Sequence, residues 1–168
     1  LEGSTYKIEN GCCEITPKEP HNWSPENPYL YYFTAVSGED RVDSYFALRE
    51  LTVKNVNGKS RMCLNGKPYF FHGILDQGYW SDGMLTPPCD RAMEDELSLI
   101  KDMGFNTVRK HIKIEPMRWY YHCDRLGMLV WQDMPSTTYG DNEWGNRAYG
   151  TGTDSKITQE GKDNYYSE

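Results

Sequence analysis

Three groups of polar residues stand where short apolar runs end. Asp76, Gln77, Tyr79, Trp80 and Asp82 follow the run at 69–75. Arg109, Lys110, His111 and Lys113 follow the run at 105–108, and Gln132 and Asp133 follow 128–131, with Tyr139, Asp141 and Trp144 beyond. Carboxylates, an amide, an imidazole and a guanidinium supply the paired donors and acceptors that sugar hydroxyls need. Trp and Tyr rings supply a flat surface for the C–H face of a pyranose. The candidate substrate-binding residues are therefore Asp76, Trp80, Arg109, His111 and Asp133, and the expected ligand is a carbohydrate.

Each residue also has a plainer use. Arg109 could ion-pair with a neighbouring carboxylate, and His111 could be a satisfied histidine. Trp80 could be core beneath a loop, and Asp133 could cap the next turn. A carboxylate at Asp76, desolvated in a pocket, would be costly without a purpose. Glu115 reads as a helix cap, Trp131 as barrel core, and the aromatics at 23–32 as sandwich core. No nucleophile elbow of the G-x-S-x-G type occurs, and no H-E-x-x-H. The G-T-G-T-D at 150–154 lies in a polar stretch, a weak match to a phosphate loop.

The elements that position these groups are legible from period and punctuation. Met93, Leu97 and Ile100 share one face of a helix that Asp90 can cap and that runs to about Met103. Gly104 stops it. A strand over 105–109 follows. Pro116 suits the first turn of a second helix, with Trp119, Tyr120, Cys123 and Leu126 inward and Gly127 closing it. A third strand covers 128–131. Strand, polar tip, helix, strand, polar tip is the order of a β/α barrel, whose loops after the strands share one face. A closed barrel takes about 250 residues. This chain has 168, so three barrel strands and two helices are expected.

Before residue 57 the signals are of β type. Short strands are expected at 12–15, 29–36, 42–48 and 50–56, with S-G-E-D as a turn. Such spacing suits the last strands of an immunoglobulin-like β-sandwich. Leu64-Asn65-Gly66-Lys67-Pro68 is a turn. The expected domains are 1–56, the end of a sandwich, and 57–168, the start of a (β/α)8 barrel. Residues 136–164 are expected as a long polar loop, with Tyr165, Tyr166 and Glu168 as the expected start of a third helix.

Composition narrows the classes. The net charge is -7 and basic residues are scattered, so nucleic acid is not an expected partner. No apolar run reaches the ~20 residues of a membrane span. Aromatic residues make up 14% of the chain, with 13 Tyr and 5 Trp, which suits a stacked core or a sugar surface. The five cysteines lack metal-site spacing and read as buried thiols. No cofactor and no metal is expected, and no leader marks a compartment.

Several phrases together resemble glycoside hydrolase family 2, the family of β-galactosidases, β-mannosidases and β-glucuronidases. These are W-S-P-E-N-P-Y-L-Y at 23–31, Y-F-A-L-R-E-L at 45–51 and L-N-G-K-P-Y-F-F-H-G at 64–73. N-T-V-R at 106–109 and W-Y-Y-H-C-D-R-L-G-M-L-V-W at 119–131 complete the set. After the Arg, galactosidases carry a small-small-His-Tyr-Pro run, where this chain has Lys110-His111-Ile112-Lys113. V-W-Q-D at 130–133 is closer to mannosidase wording. The resemblance implies a retaining, exo-acting hydrolase of β-glycosides. It makes Arg109 the active-site Arg that positions the nucleophile, with Asp76, His111 and Asp133 as subsite walls. It places the acid/base Glu after an Asn at the tip of strand four, and the nucleophile later still. Both are expected beyond Glu168, so the chain alone is expected to be inactive and to associate with itself or require the rest of the barrel. The alternative is a carbohydrate-binding or structural module without activity.

Overall fold

Asn-Gly pairs organise the first half of the chain. The computed structural model describes residues 3–133 together with Gln159 and Asp163. Strands β1 (Tyr31–Ser37) and β2 (Asp40–Phe46) form an antiparallel hairpin from Tyr31↔Phe46 to Ser37↔Asp40. Gly38, at φ 61°, makes the turn expected at S-G-E-D. Strands β3 (Leu51–Val56), β4 (Lys59–Leu64) and β5 (Lys67–Pro68) form a separate antiparallel sheet in that order. Its two turns place Asn57 and Gly58 at φ 53° and 79°, and Asn65 and Gly66 at 50° and 78°. Positive φ at both central positions is the type I′ geometry that suits the twist of a hairpin. The turn at 64–68 is thus as expected. β4 was not anticipated: of K-S-R-M-C-L only Cys63 and Leu64 are buried. The division expected between 56 and 57 falls at the tip of the β3–β4 hairpin. No strand forms at 12–15, where a single bridge joins Glu9 and Cys12.

From residue 73 the chain alternates. It runs β6 (Gly73–Asp76), α1 (Asp90–Asp102), β7 (Thr107–Lys110), α2 (Met117–Leu126) and β8 (Leu129–Gln132). β6, β7 and β8 pair in parallel, in sequence order. This is the partial barrel read from the sequence. Pairing starts only at Gly73, not at 69; Phe70 is 79% exposed. α1 is preceded by Cys89, which makes no side-chain cap. Asp90 is the first helical residue rather than the cap, and its carboxylate receives Arg118 at 2.6 and 2.8 Å and faces His122 Nε2 at 3.2 Å. The helix ends at Met103 with Gly104 at φ 94°, and α2 ends at Gly127 at φ 76°, as expected of both glycines.

The core lies between sheet and helices. Met93, Leu97 and Ile100 from α1 meet Val108 of β7, Trp119 and Cys123 of α2, and Met128. The cysteines are all free, and only Cys63 and Cys123 are buried; Cys12 and Cys89 are exposed, contrary to the buried-thiol reading. Trp23, fully buried, fastens the N-terminal segment to this core. Its indole N–H donates to the Asp124 carbonyl at 2.7 Å, and Arg49 lies over its ring at 4.7 Å. Arg49 and the Tyr45 hydroxyl both donate to the Asp124 carboxylate, at 2.6 and 3.0 Å. Lys101, near the end of α1, donates to the carbonyls of Pro25 and Leu126.

Gln159 and Asp163 are helical and joined by a 2.8 Å hydrogen bond, inside the stretch expected as loop. The third-helix start at Tyr165, Tyr166 and Glu168, and the aromatics Tyr139 and Trp144, lie outside the described residues. Among the described residues no helix is long and apolar enough to cross a membrane.

Candidate functional site

Register decides which face each tip residue joins. Residues paired across a parallel sheet project to the same side, and neighbours along a strand to opposite sides. Ile74, Val108 and Val130 are paired and pack on the helix-side core. Two residues on, Asp76, Lys110 and Gln132 share that side. Between them, Leu75, Arg109 and Trp131 form a row on the opposite, open face. Leu75 and Trp131 are 52% and 51% exposed there. Trp131 is therefore not core in this chain.

The ladder continues one residue past the strands. The His111 amide donates to Asp76 O at 2.8 Å, and the Asp133 amide to Lys110 O at 3.0 Å. Gln77, His111 and Asp133 thus make a second row on the open face, at the rim where the strands end. Arg109 donates from Nε and Nη2 to the two Asp133 oxygens, at 3.1 and 2.9 Å. This two-pronged geometry fixes the plane of the guanidinium. The Asp133 carboxylate beside it raises the Arg109 pKa. The Gln77 amide meets His111 Nδ1 at 3.0 Å. Which of the two donates is set by the tautomer of the His111 ring. Ile112, the next residue, has φ 50°. A β-branched side chain in the left-handed region is strained, and such strain gathers at functional sites.

The five residues expected at the site therefore divide. Arg109, His111 and Asp133 are brought together. Asp76 turns to the helix side, where its carboxylate accepts from Lys110 and from the Gly78 amide at 2.6 Å. Trp80 packs against the helix-side core, with a backbone bridge to Met84. The sequence placed Gln77 and Lys110 at the strand tips but outside the candidate set, with no sign of Gln77 as the partner of His111 or of Lys110 as a buried charge. Lys110 has no exposed surface and lies 4.3 Å from the centre of the Trp119 ring. It donates to Asp76 and, at 2.9 Å, to Glu115. Burial acts to lower its pKa, and the bonds to Asp76 and Glu115 outweigh it, leaving a raised pKa. Glu115 is no helix cap; Pro116 holds that position, and Glu115 is buried between Lys110 and Lys113, the latter at 2.8 Å.

Among the described residues no group of three or more His, Cys, Asp or Glu could hold a metal ion. A forked Arg–carboxylate pair and a His–amide pair, beside an open aromatic ring, can orient hydroxyls and an anionic group.

Parallel β/α units with a polar rim at the carboxyl ends of the strands define a barrel-type enzyme scaffold. The profile described as "Glycosyl hydrolases family 2, TIM barrel domain" matches residues 54–165, and the chain belongs to glycosyl hydrolase family 2. A putative β-glucuronidase of Formosa agariphila is 29% identical over 171 residues, covering 96% of this chain and 20% of the relative. A β-galactosidase of Thermoanaerobacter pseudethanolicus is 25% identical over 140 residues, covering 80% and 19%. A β-galacturonidase of Eisenbergiella tayi, solved bound to galacturonate, superposes with a TM-score of 0.61 at 30% identity, over 68% of this chain and 20% of that one. The Parabacteroides merdae β-glucuronidase gives 0.60 at 26%, over 73% and 16%. The chain thus spans about a fifth of the curated relatives' length.

Proposed function

We propose that this chain forms the opening strands of a retaining, exo-acting β-glycosidase barrel and supplies one wall of its sugar site. The observation that carries the reading is the Arg109–Asp133 fork on the open face, one row from the Gln77–His111 pair. Trp131 offers a ring beside them for the sugar's C–H face. The substrate-binding set is Gln77, Arg109, His111, Trp131 and Asp133. Arg109 takes the role of holding the nucleophilic carboxylate. Relatives named for galactosidase, glucuronidase and galacturonidase activities support a β-linked hexose or uronic acid as substrate. Residues 1–56 take the place of the last strands of an immunoglobulin-like sandwich.

In this reading both catalytic carboxylates come from strands after β8, so the chain by itself does not hydrolyse. The test offers the purified chain aryl β-galactoside, β-mannoside and β-glucuronide. No turnover is expected, and turnover would remove the assignment of the carboxylates elsewhere. In a longer protein that completes the barrel, Arg109→Ala should lower kcat/KM by about a hundredfold, the scale of a misplaced reacting group. A second reading, a sugar-binding module without catalysis, draws on the half-exposed Trp131. Calorimetry separates the two, since tight sugar binding by the chain alone favours the module.

A further inference from the structure

The rim is held from behind. Gln77 stands on the open face, but the peptide groups that follow it are bonded on the helix side. The Gly78 amide donates to Asp76 Oδ1 at 2.6 Å, a side chain bonding its own backbone two residues on. The Gly78 carbonyl accepts from Lys113 Nζ at 2.9 Å. Gly78 is buried at φ 66°, and a Cβ there would stand 2.5 Å from Lys113 Nζ and 2.5 Å from Glu115 Oε1. The start of the β6–α1 connection thus sits directly on the Lys113 ammonium, with no room for a side chain between them.

Lys113 is itself fixed. Its ammonium also donates to Glu115 Oε1 at 2.8 Å, a charge-assisted bond of the stronger kind. Its carbonyl accepts from Gln132 Nε2 at 2.8 Å, and the same nitrogen donates to Asp133 O at 2.6 Å. One residue of the β7–α2 connection therefore meets the tip of β6 through its side chain and the tip of β8 through its backbone. Replacing the side chain leaves the second hold in place, and leaves Glu115 its bond from Lys110.

We propose that Lys113 is a positioning residue for the rim. By holding the Gly78 carbonyl it keeps the Gln77 amide against His111 Nδ1, and so leaves Nε2 as the nitrogen that His111 presents to a ligand. Gln77 Nε2 lies 3.0 Å from His111 Nδ1, and the ring's Nε2 has no partner among the described residues. The bond at one ring nitrogen decides which of the two carries the proton. A displacement of about 1 Å would take the Gln77 amide out of hydrogen-bond range and release that choice. That the ligand is a sugar rests on the glycosidase reading; the hold of Lys113 on Gln77 and His111 does not.

A lysine that served the fold alone would leave the His111 ring unaffected. Lys101 supplies the comparison, since it too donates to backbone carbonyls, those of Pro25 and Leu126. The experiment is nitrogen NMR of the histidine rings of this chain at alkaline pH, where imidazoles are neutral. His111 is identified by the signals that vanish in His111→Gln. A ring held in one tautomer shows two widely separated nitrogen signals, and a ring exchanging between tautomers shows them drawn together. The wild type and Lys101→Met should show the wide separation at His111. Lys113→Met and Gln77→Ala should both collapse it, to the same extent. A separation kept in Lys113→Met or in Gln77→Ala would overturn the proposal, and so would a collapse in Lys101→Met. If Lys113→Met does not fold, the wild type decides. Its Lys113 Nζ protons should exchange slowly and lie close to the Gly78 Hα protons, and an ammonium averaged with solvent would refute the hold. A completed barrel without glycosidase turnover would remove the sugar and leave these spectra as they are.

Discussion

Arg109 and Lys110 are adjacent in sequence and opposite in consequence. Lys110 is enclosed by Asp76, Glu115 and the Trp119 ring. Removing one partner of a buried ion pair leaves an uncompensated charge, at a cost of about 3–5 kcal/mol. Lys110→Met should therefore lower the unfolding free energy by that amount in a urea titration; a loss under about 1 kcal/mol would mean that Asp76 and Glu115 find water instead. Arg109 is 55% exposed on its side chain, so Arg109→Ala should change stability by no more than about 1 kcal/mol. In the proposed reading its value lies in ligand contact, not in folding. Ile112 at φ 50° gives a third contrast. Asn tolerates the left-handed region, so Ile112→Asn should stabilise the chain by roughly 0.5–1 kcal/mol, read from the thermal midpoint. The buried lysine was legible in principle. Val108 is plainly a core residue, and Lys110, two positions on, must share its face in a strand. The usual habit of lysine, solvated and exposed, hid it.

Among the elements, those with strong periodicity and a clear stop were the ones legible in the sequence. α1 and α2 show apolar residues at helical spacing and end at Gly104 and Gly127. These two glycines are not equivalent. A Cβ at Gly104 meets nothing within 4 Å, whereas one at Gly127 would stand 2.5 Å from Pro25 O and 2.7 Å from Lys101 Nζ. Gly104→Ala should cost only the left-handed strain, about 1–2 kcal/mol. Gly127→Ala must also displace the Pro25 backbone, and should cost more; equal melting points for the two variants would contradict the close approach. β4 was hidden because its exposed residues carry no alternation, and its pairing follows from the Asn57-Gly58 turn rather than from its own composition. The reach of 69–75 was overestimated because an apolar run alone does not say where pairing starts.

At the scale of the molecule, the open face matters most. β6 and β8 each have a neighbour on one side only among the described strands, and Leu75 and Trp131 are half exposed between them. Unpaired strand edges beside an apolar face template further pairing. The chain should associate with itself in a concentration-dependent manner in sedimentation; a monomer at every concentration would count against this. The site divides for the same reason that the face is open. Alternation along β6 and β7 sends Asp76 behind the sheet and Arg109 in front of it, a distinction of one residue that no list of polar tips contains.

The way Trp23, Arg49 and Lys101 clasp the ends of the two helices has a consequence for the integrity of the chain. A protease that nicked the exposed Asn57-Gly58 turn would break the covalent link but leave the β3–β4 ladder and the indole–Asp124 contact in place. The two pieces should elute together under native conditions and reassociate after separation. Noncovalent complementation of this kind would make residues before the nick a detachable clamp for the helices that follow it.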